Sequence, residues 1–94
     1  MSYRVEVSPA AERDLDRLAD FLIEKSSNAA ITARTSISEA LRSLADFPNR
    51  GFSGPKRGLR QLLVHFGDSG YIVRYRVKRD VVVIVSVFHG RERR

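Results

Sequence analysis

Cysteine and tryptophan are both absent from the 94 residues. The lack of cysteine excludes disulfides and thiolate-held metals. His65 and His89 are the only histidines, too few for a histidine-built zinc site, so neither a metal nor a cofactor is expected. The longest apolar run is Val81–Val85, far short of the roughly 20 residues that a membrane-crossing helix requires. The opening Met1-Ser2-Tyr3-Arg4-Val5-Glu6 carries no apolar stretch of signal-peptide length. A cytoplasmic protein is therefore expected, with no membrane partner. Acidic residues are scarce in the second half. Residues 48–94 hold 3 Asp/Glu against 11 Lys/Arg, a net +8, whereas residues 1–47 hold 8 against 6, a net −2.

What remains is an ordinary globular balance, 43% hydrophobic and 30% charged, enough for one domain over residues 1–94. Fourteen of the seventeen basic residues are arginine. The guanidinium fork suits phosphate and carboxylate, so the basic half points to a polyanion or an acidic protein partner.

Tyr3–Val7 alternates apolar and polar residues as a half-buried strand does. Ser8-Pro9 predicts a helix start, since serine caps well and proline fits the first helical position. Ala11, Leu15, Leu18 and Leu22 then form one stripe to about Lys25. Glu12, Asp14, Asp16, Asp20 and Glu24 are assigned to the wet side of that helix. Ser26-Ser27-Asn28 reads as a break, and a second helix is predicted from about Ala29 to Phe47, ended by Pro48. Its stripe is Ala33, Ile37, Ala40 and Leu44, widened by Leu41.

Arg50–Gly58 reads as a loop punctuated by glycine and proline. It lacks the Gly-Lys-Ser/Thr ending of a phosphate-binding P-loop. Strands are predicted over Leu59–Phe66, Tyr71–Lys78 and Val81–His89, joined by turns short enough to force antiparallel neighbours. In the middle one, Tyr71, Val73, Tyr75 and Val77 share a face, and Ile72, Arg74 and Arg76 the other. The fold expected is α+β: an N-terminal strand, a helical hairpin and a three-stranded antiparallel meander, in the order β-α-α-β-β-β. The core expected is Val5, Val7, Leu15, Leu18, Leu22, Ile37, Leu41, Leu44, Val73, Tyr75, Val83 and Val85.

In these segments the chain resembles the RelE/ParE superfamily of toxins from bacterial toxin–antitoxin pairs, on its ParE-like branch. The resemblance lies in Ser8-Pro9-Ala10-Ala11-Glu12-Arg13-Asp14-Leu15, Leu44-Ala45-Asp46-Phe47-Pro48 and Gly58-Leu59-Arg60. It continues through Gly70-Tyr71-Ile72-Val73-Arg74-Tyr75-Arg76-Val77 and Val87-Phe88-His89-Gly90-Arg91. It implies a toxin that inhibits DNA gyrase without being an enzyme. An antitoxin made alongside would neutralise it, and DNA would be contacted only through that antitoxin. The alternatives are a RelE-like, ribosome-dependent endoribonuclease acting on messenger RNA, and a non-toxic module that only binds antitoxin.

RelE-like nucleases carry an arginine three residues before the tyrosine of the middle meander strand. Here that tyrosine is Tyr75 and the matching position is Ile72, and no tyrosine follows Tyr75. His89 is the catalytic candidate only if the chain is a ribonuclease, because an imidazole titrates near neutrality. Otherwise Arg60, Arg74, Arg76, His89 and Arg91 are expected to bind an anionic target surface together. The antitoxin is expected to be acidic and partly disordered where it binds. Its helix would meet Phe21 and Ile23 on the flanks of the first stripe, and a following extended stretch would pair with an open sheet edge.

Overall fold

The computed structural model describes residues 2–54, 56–66 and 69–90. Among them the elements follow as β1 (Arg4–Val7), α1 (Pro9–Lys25), α2 (Ser27–Asp46), β2 (Phe52–Ser53), β3 (Arg60–Phe66), β4 (Ser69–Lys78) and β5 (Val81–His89). The α+β class and the strand–helix order are those expected. No helix among the described residues is long and apolar enough to cross a membrane.

Serine governs both helix starts. Ser8 holds extended backbone, and its Oγ accepts from the Ala11 amide at 3.1 Å. Ser26 serves both helices. Its N–H donates to the Leu22 carbonyl at 2.8 Å, closing α1, while its Oγ accepts from Ala29 at 3.2 Å, opening α2. The expected three-residue break is thus a single residue, because one extended serine acts as C-cap and N-cap at once.

The sheet order is β1-β5-β4-β3-β2. β1 runs parallel to β5, with Arg4 opposite Val81, and the other neighbours are antiparallel. The segment read as a loop holds β2, whose Phe52 and Ser53 pair with Gln61 and Arg60. Two residues are too few to show alternation in a sequence.

Both helices lie on one face of the sheet, α1 over β5 and α2 over β3 and β1. We call that the covered face and the other the open face. Ala11, Ala33, Leu44, Val73, Tyr75 and Ile84 are all within 1% of full burial. Removing a large apolar side chain of this kind from water contributes roughly 1.5–3 kcal/mol. Leu18 and Ile37 are also buried, and Val5, Val7, Leu15, Leu22 and Leu41 pack half-buried against this core.

Val83 and Val85 depart from the expected core. Val82, Ile84 and Val87 are buried in their place. The run Val81–Val85 has no polar residue to set its phase, and a bulge interrupts it. Arg74 pairs with Ser86 and Tyr75 with Ile84, so Val85 has no counterpart on β4. The inward alternation of Val82 and Ile84 therefore resumes at Val87.

β1 ends at Val7, and the start of α1 takes its place beside β5. The Ser8 amide donates to the Ile84 carbonyl at 3.0 Å, and its hydroxyl to the Val85 carbonyl at 3.2 Å. The Val87 amide donates to Asp14 Oδ2 at 2.9 Å. Asp14, expected on the wet side of the helix, is buried. It falls three residues after Ala11 and four before Leu18, on the inward stripe, and the Val87 amide holds its carboxylate there. Arg17 Nη2 lies 3.5 Å from the other oxygen.

Replacing Asp14 by Ala leaves a buried amide without its acceptor. The expected loss is about 1–3 kcal/mol of unfolding free energy, measured by chemical denaturation. Asp14→Asn, which keeps an acceptor oxygen, is expected to lose less. Equal stability of Asp14→Ala and the unaltered protein would contradict this account.

Candidate functional site

Side chains alternate across a strand, so register decides which face each candidate occupies. Arg74 and Arg76 stand on the open face. Arg74 shares a row with Gln61 and Ser86, and its Nε donates to Gln61 Oε1 at 3.0 Å. Its guanidinium also lies 4.7 Å from the centre of the Phe88 ring. Arg76 Nη1 donates to the Arg57 carbonyl at 3.4 Å. Each arginine is held by one N–H, and a guanidinium has five. In the next row Ile72 stands between Leu63 and Phe88.

Arg60 and His89 are on the covered side. Arg60 pairs with the buried Tyr75. Its Nη2 donates to the Asn49 carbonyl at 2.9 Å and also to the Gly51 carbonyl. Its Nε is buried without a partner. The Tyr75 hydroxyl accepts from the Gly51 amide at 2.9 Å. A Cβ at Gly51 would overlap the Gln61 carbonyl and stand 2.8 Å from that hydroxyl, so only glycine fits there. Arg60 is thus a brace that ties residues 49–51 to the sheet. His89 pairs with Tyr71, the rings meeting edge-to-face at 5.5 Å and 84°. His65 is exposed on the open face, opposite Gly70.

The single basic face expected from the sequence is therefore divided. Arg74 and Arg76 share the open face, Arg60 and His89 lie on the covered side, and Arg91 is outside the described residues. Residue types revealed the cations, but only register reveals the faces.

On the helical layer, Phe21 and Ile23 are 55% and 56% exposed. Two residues apart on a helix, they project about 160° from one another. Lys25 Nζ sits 5.2 Å from the Phe21 ring centre. An apolar groove runs between the helices, lined by Leu15, Ala19, Leu22, Ala30 and Leu41, with Arg34 and Ser38 on its α2 side. Ile23 lies one turn beyond Ala19, on one lip. Ile31, 64% exposed and one turn before Arg34, lies on the other. Nothing in the sequence marks Ile31 as exposed, nor Phe52 and Leu63, 51% and 49% exposed. An isolated apolar residue in a sequence carries no sign that it stays in water.

Residues 5–94 match the family model described as ParE toxin of type II toxin-antitoxin system, parDE. The chain is 38% identical over 95 residues to "Toxin RelE1" of Caulobacter vibrioides, covering 100% of each. It is 38% identical over 90 residues to "Toxin RelE3" of the same bacterium, covering 96% of this chain and 97% of that one. Among solved structures it is similar to "Chromosomal ParDE TA system from P. aeruginosa", with a TM-score of 0.80. That likeness covers 94% of this chain and 96% of the other at 21% identity, and it shows a shared fold.

Arg60→Met keeps an apolar stem but removes both hydrogen bonds to the 49–51 segment. Amide exchange at Gly51 is expected to accelerate, with about 1–3 kcal/mol lost from unfolding. Unchanged exchange at Gly51 would show that Arg60 is not the brace.

Proposed function

Because the chain belongs to the ParE toxin family, within the RelE/ParE toxins of type II toxin–antitoxin systems, we propose that it arrests growth by inhibiting DNA gyrase. Membership implies an antitoxin partner. The proposed setting is the cytoplasm, where gyrase and DNA are found.

The observation that supports inhibition without catalysis is the division of the candidate residues between two faces. Cleaving RNA through its 2′-hydroxyl requires a base, a proton donor and cations around one phosphate. Here the His89 imidazole rests against Tyr71 on the covered side, while Arg74 and Arg76 lie across the sheet from it. The Tyr75 hydroxyl is committed to the Gly51 amide. Ile72 brings an aliphatic side chain to the position where RelE-like nucleases carry arginine. In this reading Arg74 and Arg76 bind an anionic surface of the target, and no bond is made or broken. Arg91 belongs to the same proposal by sequence.

The ribosome-dependent ribonuclease remains the second reading. The observation in its favour is that His65 shares the open face with Arg74 and Arg76, although it pairs with Gly70, four residues along β4 from Arg74.

For the antitoxin, an amphipathic helix in the groove between α1 and α2 fits the helix-in-groove mode. Ile23 on one lip would be covered. Phe21 projects from the other flank of α1, so a single helix does not cover both. Beyond the two residues paired with β2, the outer edge of β3 offers an extended segment free backbone groups. The acidic character expected of that segment speeds encounter with residues 48–94, so the on-rate should fall as salt rises.

Expression from a controlled promoter separates the readings. DNA breaks with intact transcripts are expected, and purified protein should inhibit gyrase supercoiling. Early transcript cleavage would establish the ribonuclease instead, and unaffected growth a non-toxic antitoxin-binding module. Arg74→Glu and Arg76→Glu are each expected to abolish growth arrest while melting close to the unaltered protein. Full toxicity of both would overturn the role given to the open face.

A further inference from the structure

We infer that the open face of the sheet docks a protein, with Phe52 and Leu63 as its apolar anchors, and that the occupant is an acid-rimmed apolar patch on the toxin's target. The inference rests on the proposed action against a protein target and names the surface and residues that would meet it.

The register assembles the face. Phe52 pairs with Gln61, and Gln61 with Arg74, so these three side chains form one row across β2, β3 and β4. Leu63 pairs with Ile72, and Ile72 with Phe88, which forms the next row. Leu63 therefore stands diagonally beside Arg74, and Phe52 stands across Gln61 from it, around a guanidinium that Gln61 and the Phe88 ring already hold in place. Arg76 and Lys78 extend the same face along β4.

On β3, β4 and β5 the charge of this face is of one sign. Among the described residues no Asp or Glu stands on the open side of β3, β4 or β5, and residues 47–67 contain none at all. Glu6, at the far edge on β1, is paired with Arg4 at 2.9 Å. The complementary partner is acidic.

Guanidiniums accept phosphate as readily as carboxylate, so the apolar residues decide between nucleic acid and protein. Leu63 and Ile72 are aliphatic and offer nothing to a phosphate backbone. The Phe88 ring, which could stack a base, lies beneath Arg74 and is 4% exposed. Aromatic and arginine anchors among smaller apolar neighbours are the composition of a protein–protein hot spot. Holding Arg74 in advance lowers the ordering cost of binding.

The test is a Phe52→Ser/Leu63→Ser variant, with Leu63→Asp alone as a second variant should the first melt early. Each is compared with the unaltered toxin for melting temperature, affinity for the antitoxin encoded alongside it, capture of purified gyrase, and growth arrest. The expected result is an unchanged melting temperature, gyrase capture weaker by about tenfold or more, antitoxin affinity reduced far less because the antitoxin keeps its groove contacts and its backbone pairing with β3, and loss of growth arrest. Undiminished gyrase capture by the folded variants overturns the inference and leaves the proposed function standing. A fall in antitoxin affinity as large as the fall in gyrase capture also overturns it, by assigning the face to the antitoxin. If the unaltered toxin captures no gyrase, the proposed function fails by itself. Growth arrest then decides the face: loss of arrest with transcripts intact supports the docking surface, and retained arrest overturns it. Cleavage of transcripts by the unaltered toxin, with loss of RNA binding in the variants, overturns both.

Discussion

The hydrogen bonds between α1 and the part of β5 beyond the end of β1 join the two layers of the fold. Ser8 donates to the Ile84 and Val85 carbonyls, and Asp14 accepts from the Val87 amide. β1 ends at Val7, and the groups of β5 beyond it would be left without a strand partner on that side if the helix did not meet them. Serine meets them while also capping its own helix, so one residue sets both the entry of α1 and its seat on the sheet. The bulge also sets which side of β5 faces the helices on either side of it. It aligns Arg74 with Ser86 and so contributes to the arrangement of the open face.

Much of this fold is legible in the residues. Ser8-Pro9 marks the first helix because capping chemistry is local, and the alternation from Tyr71 to Val77 gives the faces of β4 correctly. The misplaced parts depended on partners distant in the chain. An unbroken run such as Val81–Val85 has no phase of its own, and its orientation is chosen by β4 and α1. Asp14 reads as a solvent-facing acid until the amide it accepts from is known. β2 exists only because Gly51 can sit against Gln61 and Tyr75, bringing Phe52 alongside β3. For the candidate site, composition revealed the cations but not their division. Whether Arg60 faces the same way as Arg74 depends on the strand register between them.

The two layers also divide the chemistry. The helical layer carries the apolar groove between α1 and α2, and the open face of the sheet carries Arg74, Arg76 and Lys78. These surfaces lie on opposite sides of the molecule. A helix bound in the groove does not by itself cover the arginines. Neutralisation by direct blocking therefore calls for a segment that continues around an edge of the sheet, whereas the groove alone would serve affinity.

The brevity of β2 has a further consequence. It pairs with β3 at Gln61 and Arg60 only, so the outer edge of β3 from Leu62 to Phe66 runs on beyond it. Leu62-Leu63-Val64-His65-Phe66 contains no lysine, proline or acid, the residues with which exposed strand edges are commonly blunted. Such a segment is a template for another copy of itself as much as for a partner. In this chain, keeping the free protein from pairing with its own kind falls to whatever else lies along that edge. A bound segment there would preserve solubility by the same backbone contacts through which it neutralises.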